Sequence, residues 1–281
     1  LEFYGNGTDE VLLKKYEYNN WDDQNLKVLL IGNSFSEDSV YMLRDIAKAE
    51  GKEITLGILY KGASTLQQHY TYSQNNDTAY KYMKNNNDSW TVTENATLLD
   101  GIKDESWDII CLQQGSKQSG MSSTYGYLDE LVSFVNTNKT NKDCVLAWNM
   151  TWAYQSGSTH EGFANYDNNQ NLMYKSICDT TYSQVLTTFS FPVVFPTGTA
   201  IQNIRTFVGD TVTRDGYHLN STGRYVAAYT LFRMLSGQPL TELKYAPEDI
   251  ILNETYKNAV LEAVNSATND YFNVTQSSYT K

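Results

Sequence analysis

Histidine, cysteine and basic residues are scarce in this chain of 281 residues. It has three histidines and three cysteines, and 32 acidic residues outnumber its 21 lysines and arginines. The histidines and cysteines lack metal-ligand spacing, so the sequence predicts no metal site and no other cofactor. So few cysteines, odd in number, argue against a disulfide framework. The net charge of −11 argues against binding to nucleic acid, which needs a basic surface.

Long apolar runs are also absent. None approaches the roughly 20 residues that a membrane span requires, and no cleavable signal segment opens the chain. The sequence therefore predicts no membrane span. Hydrophobic residues nevertheless make up 41% of the chain, enough for a sizeable core. We expect an N-terminal extension over residues 1–25, one domain over 26–270 and a C-terminal tail over 271–281; the sequence does not indicate an oligomeric state.

Five apolar segments are typical of parallel strands that are covered on both faces. They are Leu26–Ile31, Glu53–Leu59, Trp107–Leu112, Cys144–Met150 and Pro192–Pro196. Helical patterns alternate with them or follow them, at Ser39–Ala49, Tyr127–Val135, Ser221–Leu235 and Glu254–Ala267. The first helix has Ser36 as its expected N-cap, and the polar stretch Thr71–Leu99 is expected to form surface helices and loops. This alternation predicts a three-layer α/β/α sandwich with about five parallel strands.

The first strand ends in Gly32-Asn33-Ser34, and a helix-like segment follows. A serine there has its hydroxyl at the carboxyl edge of the sheet, where open α/β sheets bind ligands. Its amide lies near a helix start and can stabilise an oxyanion. Much later, Asp215-Gly216-Tyr217-His218 supplies a carboxylate and an imidazole. Serine, histidine and aspartate are the parts of an activated hydroxyl nucleophile.

The order of these segments resembles the SGNH (GDSL-like) serine hydrolases. It is most similar to a branch common in gut bacteria, itself similar to carbohydrate acetylesterases. The resemblance covers about Lys27 to Leu235 and rests on Leu-Leu-Ile-Gly-Asn-Ser-Phe, Leu-Gln-Gln and Thr-Arg-Asp-Gly-Tyr-His-Leu. It implies a flavodoxin-like sandwich, with Ser34 as nucleophile, His218 as base and Asp215 as its partner. It also implies that the amides of Ser34 and Gly62 contribute to an oxyanion hole.

Two residues depart from that family's pattern. Asn33 stands where the family usually has aspartate, and the usual asparagine of the third block is missing. Gln113-Gln114-Gly115 stands in its place and is similar to a Gln-Gly-Glu turn in sialate and xylan acetylesterases. We assign the third oxyanion donor to Gln114, with Gln113 as the alternative, because a one-residue error at the strand end would exchange them.

Three further residues are candidates for substrate contact. Trp148 and Trp152 lie at a strand end, where aromatic rings could stack on a sugar, although Trp148 could equally pack in the core. His160 lies in the loop that follows. His69, on a predicted helix, is expected to be exposed or hydrogen-bonded. Arg205 and Arg214 are expected to pair with carboxylates, or Arg214 to meet an acidic substrate.

The leading hypothesis is a serine esterase that hydrolyses small acyl esters, in particular O-acetyl groups on carbohydrates. The triad comes from the residues, and the sugar comes from the resemblance and from the aromatic residues at the strand end, since a fold does not determine a substrate. The alternatives are a lipid-type esterase or thioesterase with the same triad, and a non-catalytic carbohydrate-binding protein. The expected partner is a small-molecule or glycan ester, and the expected location is extracellular or periplasmic in a bacterium.

Overall fold

A computed structural model describes residues 18, 21, 25–85, 89–188 and 190–281, which include the central sheet. Within these residues, seven strands form one sheet with the order β4-β3-β2-β1-β5-β6-β7. The strands are β1 Leu26–Gly32, β2 Ile54–Tyr60, β3 Tyr80–Asn85, β4 Thr91–Ala96, β5 Ile109–Leu112, β6 Val145–Asn149 and β7 Val193–Phe195.

The five predicted strands are confirmed as β1, β2, β5, β6 and β7, with ends that differ by no more than two residues. They pair in parallel, and Leu26 lies opposite Ile54 while Val28 lies opposite Ile109. Their spatial order is β2-β1-β5-β6-β7, which is the flavodoxin-like order. These strands are almost wholly buried, as expected when helices cover both faces of a sheet.

The expectation of helices and loops over the whole of Thr71–Leu99 is wrong. β3 and β4 lie in this stretch and extend the sheet as an antiparallel pair beyond β2. Tyr80 and Tyr82 of β3 are buried, whereas β4 is exposed along most of its length. A polar edge strand of this kind resists pairing with other chains, and its composition hides it from a search for apolar runs.

Helices cover the two faces of the sheet. They are α1 Ser34–Val40, α2 Leu43–Ala49, α3 Leu66–Asn75, α4 Leu98–Asp104, α5 Leu128–Asn138, α6 Gln170–Gln184, α7 Thr197–Val208, α8 Ser221–Ser236 and α9 Glu254–Asn269. α1, α2, α7 and α9 pack around α8, while α3, α4 and α5 pack together. A Cβ at Gly32 would point at Ser36 of α1, whereas Leu59 contacts Gly101 of α4. Gly32 pairs with Tyr60, so the two residues face the same side of the sheet, whereas Leu59 faces the other side because side chains alternate along a strand. The helices around α8 and the group of α3, α4 and α5 therefore lie on opposite faces.

The first predicted helix differs from the observed one. The helix begins at Ser34 rather than Ser39 and is interrupted at residues 41–42, which separates α1 from α2. Its N-cap is Asn33, whose side chain accepts a hydrogen bond from the Phe35 amide, so the assignment of the cap to Ser36 is wrong. The three later helical predictions are confirmed as α5, α8 and α9.

Most of the predicted N-terminal extension lies outside the described residues. Trp21 is an exception: it is buried, with its ring 5.5 Å from that of Phe232 in α8. In the predicted tail, Tyr271 and Phe272 are buried in the core. Among the described residues, no helix combines the length and apolarity needed to cross a bilayer.

Candidate active site

The turn after β1 places Ser34 at the carboxyl edge of the sheet. Gly32 is required there because a Cβ at this position would lie 2.3 Å from Ser36 Oγ. Asn33 adopts an extended conformation, and α1 begins at the next residue. Ser34 therefore follows a strand end directly, and its side chain remains partly accessible. Ser36 is buried and donates to Gln113 Oε1 at 2.8 Å, so it does not compete with Ser34 for a ligand.

Asn33 uses both ends of its amide in a buried network. Its Oδ1 accepts hydrogen bonds from the Phe35 amide at 3.0 Å and from Gln113 Nε2 at 2.9 Å. Its Nδ2 donates to the Ser64 carbonyl at 3.1 Å. An aspartate could not make this last bond and would place its negative charge against a carbonyl oxygen. The departure from the Gly-Asp-Ser pattern therefore matches the polar groups around it.

The structure brings Ser34, His218 and Asp215 together. Ser34 Oγ lies 2.8 Å from His218 Nε2, and His218 Nδ1 lies 2.6 Å from Asp215 Oδ2. Both distances are normal for hydrogen bonds. The three side chains thus form one continuous chain of hydrogen bonds from the strand end to the loop before α8.

Hydrogen bonds at both oxygens hold the Asp215 carboxylate. Besides its bond to the ring, Asp215 accepts the backbone N–H of His218 at 2.8 Å and that of Tyr217 at 3.2 Å. Burial acts to raise the pKa of Asp215, but the hydrogen bonds from His218 and Tyr217 outweigh it and leave the pKa lowered. Asp215 is therefore a carboxylate at neutral pH, ready to accept from the imidazole Nδ1–H.

Two backbone amides near Ser34 are available to a ligand. Within the described residues, the N–H groups of Ser34 and Gly62 donate no hydrogen bond to the protein. Gly62 is exposed in the turn after β2, and a Cβ there would meet only the Tyr60 hydroxyl, at 3.8 Å. The space around the Gly62 amide is thus open.

The two glutamines after β5 differ in what their amides can still donate. Gln114 Nε2 donates to the carbonyl of Thr124 at 3.2 Å and to its hydroxyl at 3.0 Å, which uses both of its protons. Gln113 Nε2 donates only to Asn33 Oδ1 among the described residues. The assignment of an oxyanion role to Gln114 is therefore wrong, because Gln114 has no proton to spare. Gln113 keeps one.

The two tryptophans do not reach a substrate. Trp148 is 2% exposed and packs against Tyr125 and Phe191 in the core. Trp152 is fully buried, stacks on Phe35 at 4.2 Å and donates to the Tyr217 carbonyl at 2.7 Å. Their assignment as substrate contacts is wrong because both indoles point into the protein, and Trp152 instead supports the loop that carries His218.

His160 lies beside the triad. Its ring is 4.5 Å from that of Tyr217, which in turn lies 4.2 Å from the His218 ring. His160 Nδ1 accepts the Gly162 amide at 3.0 Å, so the neutral ring carries its proton on Nε2. Burial lowers the pKa of His160, which favours this neutral form. A neutral donor is therefore present next to the catalytic candidates.

The remaining predictions concern residues around the site. His69 is buried on α3, where its Nδ1 lies 2.7 Å from the Tyr80 hydroxyl, so it is hydrogen-bonded as expected. Arg205 pairs with Asp210 at 3.0 Å, and Arg214 pairs with Asp38 at 3.1 Å. Within the described residues, no cluster of three or more histidine, cysteine, aspartate or glutamate side chains could hold a metal ion.

The sequence prediction missed Asp38. Its carboxylate lies in α1 and contacts both Arg214 and Arg224. An acidic residue four positions after Ser34 is a signal that could have indicated it. The signal is weak, because the arginines that explain it are far away in the chain.

Known proteins share this arrangement of strands and helices. A family model described as "Domain of unknown function (DUF4886)" matches residues 27–266. A crystal structure of a DUF4886 family protein from Bacteroides uniformis is 38% identical. The match covers 90% of this chain and 98% of that chain, with a TM-score of 0.84. This chain belongs to the DUF4886 family. The DUF4886 match includes Ser34, Asp215 and His218 and extends through most of α9.

More distant structures are similar at low identity. A putative acylhydrolase from Bacteroides fragilis is 12% identical, covers 84% of this chain and 96% of its own, and has a TM-score of 0.46. An acetylxylan esterase from Geobacillus stearothermophilus, solved as a catalytic mutant, is 10% identical, with coverages of 76% and 96% and a TM-score of 0.48. No curated protein matches this DUF4886 chain.

Proposed function

We propose that the chain is a serine esterase that hydrolyses small acyl esters through an acyl-enzyme. The observation that carries the proposal is the hydrogen-bonded chain from Ser34 Oγ through His218 to Asp215, with distances of 2.8 and 2.6 Å. Nucleophile, base and orienting carboxylate stand in the order that acyl transfer requires. The short motifs that also occur in SGNH hydrolases support the same reaction.

In the first half of the reaction, Ser34 Oγ bonds to the ester carbonyl carbon while its proton passes to His218 Nε2. Asp215 accepts from Nδ1–H and stabilises the imidazolium. The bond from the carbonyl carbon to the leaving oxygen then breaks, and the departing alcohol takes the proton from Nε2. In the second half, a water molecule attacks the acyl-enzyme and loses a proton to His218. That proton returns to Ser34 Oγ as the acid departs.

The oxyanion is assigned to the backbone N–H groups of Ser34 and Gly62 and to the second amide proton of Gln113. The two backbone groups have no protein acceptor among the described residues. Gln113 donates a hydrogen bond to Asn33, the residue next to Ser34, which supports its choice over Gln114. Donors arranged before the reaction stabilise developing charge without reorganising, and this is often the largest single contribution to catalysis.

The proposed substrate is an O-acetyl ester of a carbohydrate. Beside Asp215, residues 155–159 and 213–216 surround a depression of about 350 Å³ whose side chains are all polar. Hydroxyl and amide groups such as those of Gln155, Ser156 and Thr159 suit a hydroxyl-rich leaving group rather than a long acyl chain. His160, with its Nε2–H, is proposed as a further contact. An enzyme for polymeric glycans would act outside the cytoplasm, which agrees with the expected extracellular or periplasmic location.

A substrate panel tests this proposal. Acetate release is measured from acetylated xylo-oligosaccharides and acetylated hexoses, beside p-nitrophenyl acetate, p-nitrophenyl palmitate and an acyl thioester. We expect kcat/KM on an acetylated sugar to exceed that on the palmitate ester by about 100-fold. Ser34→Ala is the control and should release nothing above background.

Three outcomes would overturn parts of the proposal. A preference for palmitate or the thioester would favour the lipid-type enzyme. Binding of a glycan with no ester hydrolysis in the wild type would favour a non-catalytic binding protein. Hydrolysis that survives Ser34→Ala would exclude the proposed nucleophile.

A further inference from the structure

A single buried carboxylate connects the nucleophile helix to the loop that carries the base. Asp38 lies in α1 and is 1% exposed. Its Oδ1 accepts from Arg224 Nε at 2.8 Å and lies 2.7 Å from Arg224 Nη2. Arg214 Nη1 lies 3.1 and 3.2 Å from its two oxygens, and Oδ2 also accepts the Leu219 backbone N–H at 2.8 Å. Both carboxylate oxygens are thus fully used by groups of the protein.

The partners of Asp38 bracket the catalytic loop. Arg214 directly precedes Asp215, and Leu219 directly follows His218. The same segment is closed on itself, since the Arg214 amide donates to the His218 carbonyl at 2.9 Å and Thr213 pairs with Leu219 as an isolated bridge. Asp38 therefore holds both ends of a closed loop whose interior contains the two catalytic candidates.

Ser34 lies on the same helix as Asp38. Ser34 and Asp38 are four residues apart in α1, so they lie on the same face of the helix, one turn apart. One face of a short helix thus carries both the hydroxyl that His218 contacts and the carboxylate that anchors the loop around His218. A shift of the loop relative to α1 would have to break the bonds at Asp38 and the bond from His218 to Ser34 together.

We propose that Asp38 is a positioning residue that sets the distance between Ser34 and His218. This inference rests on the proposed esterase function. Stability alone is a weak reason for such an arrangement, because a buried ion pair contributes little net stability compared with well-packed apolar side chains. The positioning of catalytic groups is a stronger reason for the arrangement, since a displacement of about 1 Å in a catalytic group can reduce a rate by about 100-fold.

The test compares Asp38→Asn with a matched variant at a distant ion pair. Glu105 also pairs with two basic residues, Lys27 at 2.6 Å and Lys84 at 2.5 Å. Lys27 is at the start of β1 and Ser34 follows its end, so the two sites lie roughly 20 Å apart. Glu105→Gln therefore removes a comparable charge without touching the catalytic loop.

For Asp38→Asn we expect kcat on p-nitrophenyl acetate to fall by about 100-fold, with KM within about threefold of the wild type. The rate at which a fluorophosphonate labels Ser34 should fall by the same factor, because this reaction also needs His218 as base. Glu105→Gln should keep kcat and the labelling rate within about twofold, whatever its melting temperature. Far-ultraviolet circular dichroism verifies that each variant is folded.

Arg214→Gln provides a second variant if Asp38→Asn does not fold. The Arg214 side chain is 41% exposed, so its removal leaves the core intact while one end of the loop loses its anchor. We expect kcat on p-nitrophenyl acetate, which has no sugar to occupy the depression lined by Arg214, to fall by about 10-fold at unchanged KM. A folded Asp38→Asn or Arg214→Gln with wild-type kcat and labelling rate would overturn the role of Asp38. A wild-type chain that neither hydrolyses esters nor labels would instead overturn the proposed function.

Discussion

Ser34 and His218 touch each other, yet they stand in differently built surroundings. The surroundings of Ser34, the proposed nucleophile, consist of Asn33, Ser36, Gln113 and Asn149, all buried and joined by hydrogen bonds beneath the sheet edge. The base side is a surface loop, in which the side chains of Asp215 and His218 remain 38% and 20% exposed. The loop is held at a few points, including Asp38, Trp152 and the Gln155 amide.

Because the surroundings of Ser34 are buried and those of His218 are a surface loop, substitutions on the two sides should differ in how they affect stability and activity. A change in the buried network removes hydrogen bonds that the core needs, so it should lower stability, and it should lower the rate as well only where the side chain is a proposed oxyanion donor. A change in the loop leaves the core intact and should affect the rate much more than folding.

Ser34→Ala removes the proposed nucleophile while leaving the buried network in place. We expect kcat on p-nitrophenyl acetate to fall by about 10⁴- to 10⁶-fold, with the melting temperature close to that of the wild type. Ser36→Ala is the control, since it removes a neighbouring buried hydroxyl. It should cost about 1 kcal/mol of stability and leave kcat within about threefold. The opposite pattern would make Ser36 the nucleophile.

Asp215→Asn keeps the size of the side chain but changes what it offers to His218 Nδ1. We expect kcat to fall by about 10⁴-fold because the imidazole loses the partner that holds its tautomer and stabilises its charge. The free energy of unfolding at pH 7, measured in urea, should change far less than for a substitution in the buried network. If Asp215→Asn lost as much unfolding free energy as a substitution in the buried network, the result would contradict the division between the two sides.

Gln113→Ala and Gln114→Ala form a matched pair of substitutions at adjacent buried glutamines. Both remove a buried amide and should lower the melting temperature. Only Gln113→Ala should also lower kcat by about 100- to 1000-fold, because it alone removes a proposed oxyanion donor. Steady-state kinetics on both variants decide the matter, and equal kcat values would remove Gln113 from the oxyanion hole.

Acid titration should reveal the smallest effect. Hydrogen bonds lower the folded-state pKa of Asp215, so its ionised form stabilises the native state. That contribution is present above the unfolded value of about 4 and is lost as pH falls through the folded pKa. The unfolding free energy of the wild type minus that of Asp215→Asn should therefore shrink as pH falls below about 4. A difference that grows on acidification would contradict the lowered pKa.

The fold was predictable where burial dominates. The five parallel strands are recognisable because strands covered on both faces are almost continuously apolar. β3 was missed because Tyr80 and Tyr82 alternate with polar residues in a stretch rich in asparagine. β4 was missed because most of its residues are polar and exposed. The early start of α1 was missed because its N-cap, Asn33, lies inside the nucleophile motif.

The candidate site was predictable where a short motif marks it. Ser34, Asp215 and His218 follow a strand end or precede a helix, and local sequence is sufficient to indicate them. Trp148 and Trp152 show the limit, because a strand end does not reveal which side chains face inward. Asp38 shows another limit, since its role depends on arginines that only the folded chain brings to it.

The identity of the reactive residue is the central claim, and peptide mass mapping after fluorophosphonate treatment tests it most directly. The wild type should carry one adduct, on Ser34, with Ser36 in the same peptide unmodified. The adduct should be absent from Ser34→Ala and form far more slowly in His218→Ala. No adduct on a folded wild-type chain, or labelling at the same rate without His218, would contradict the account.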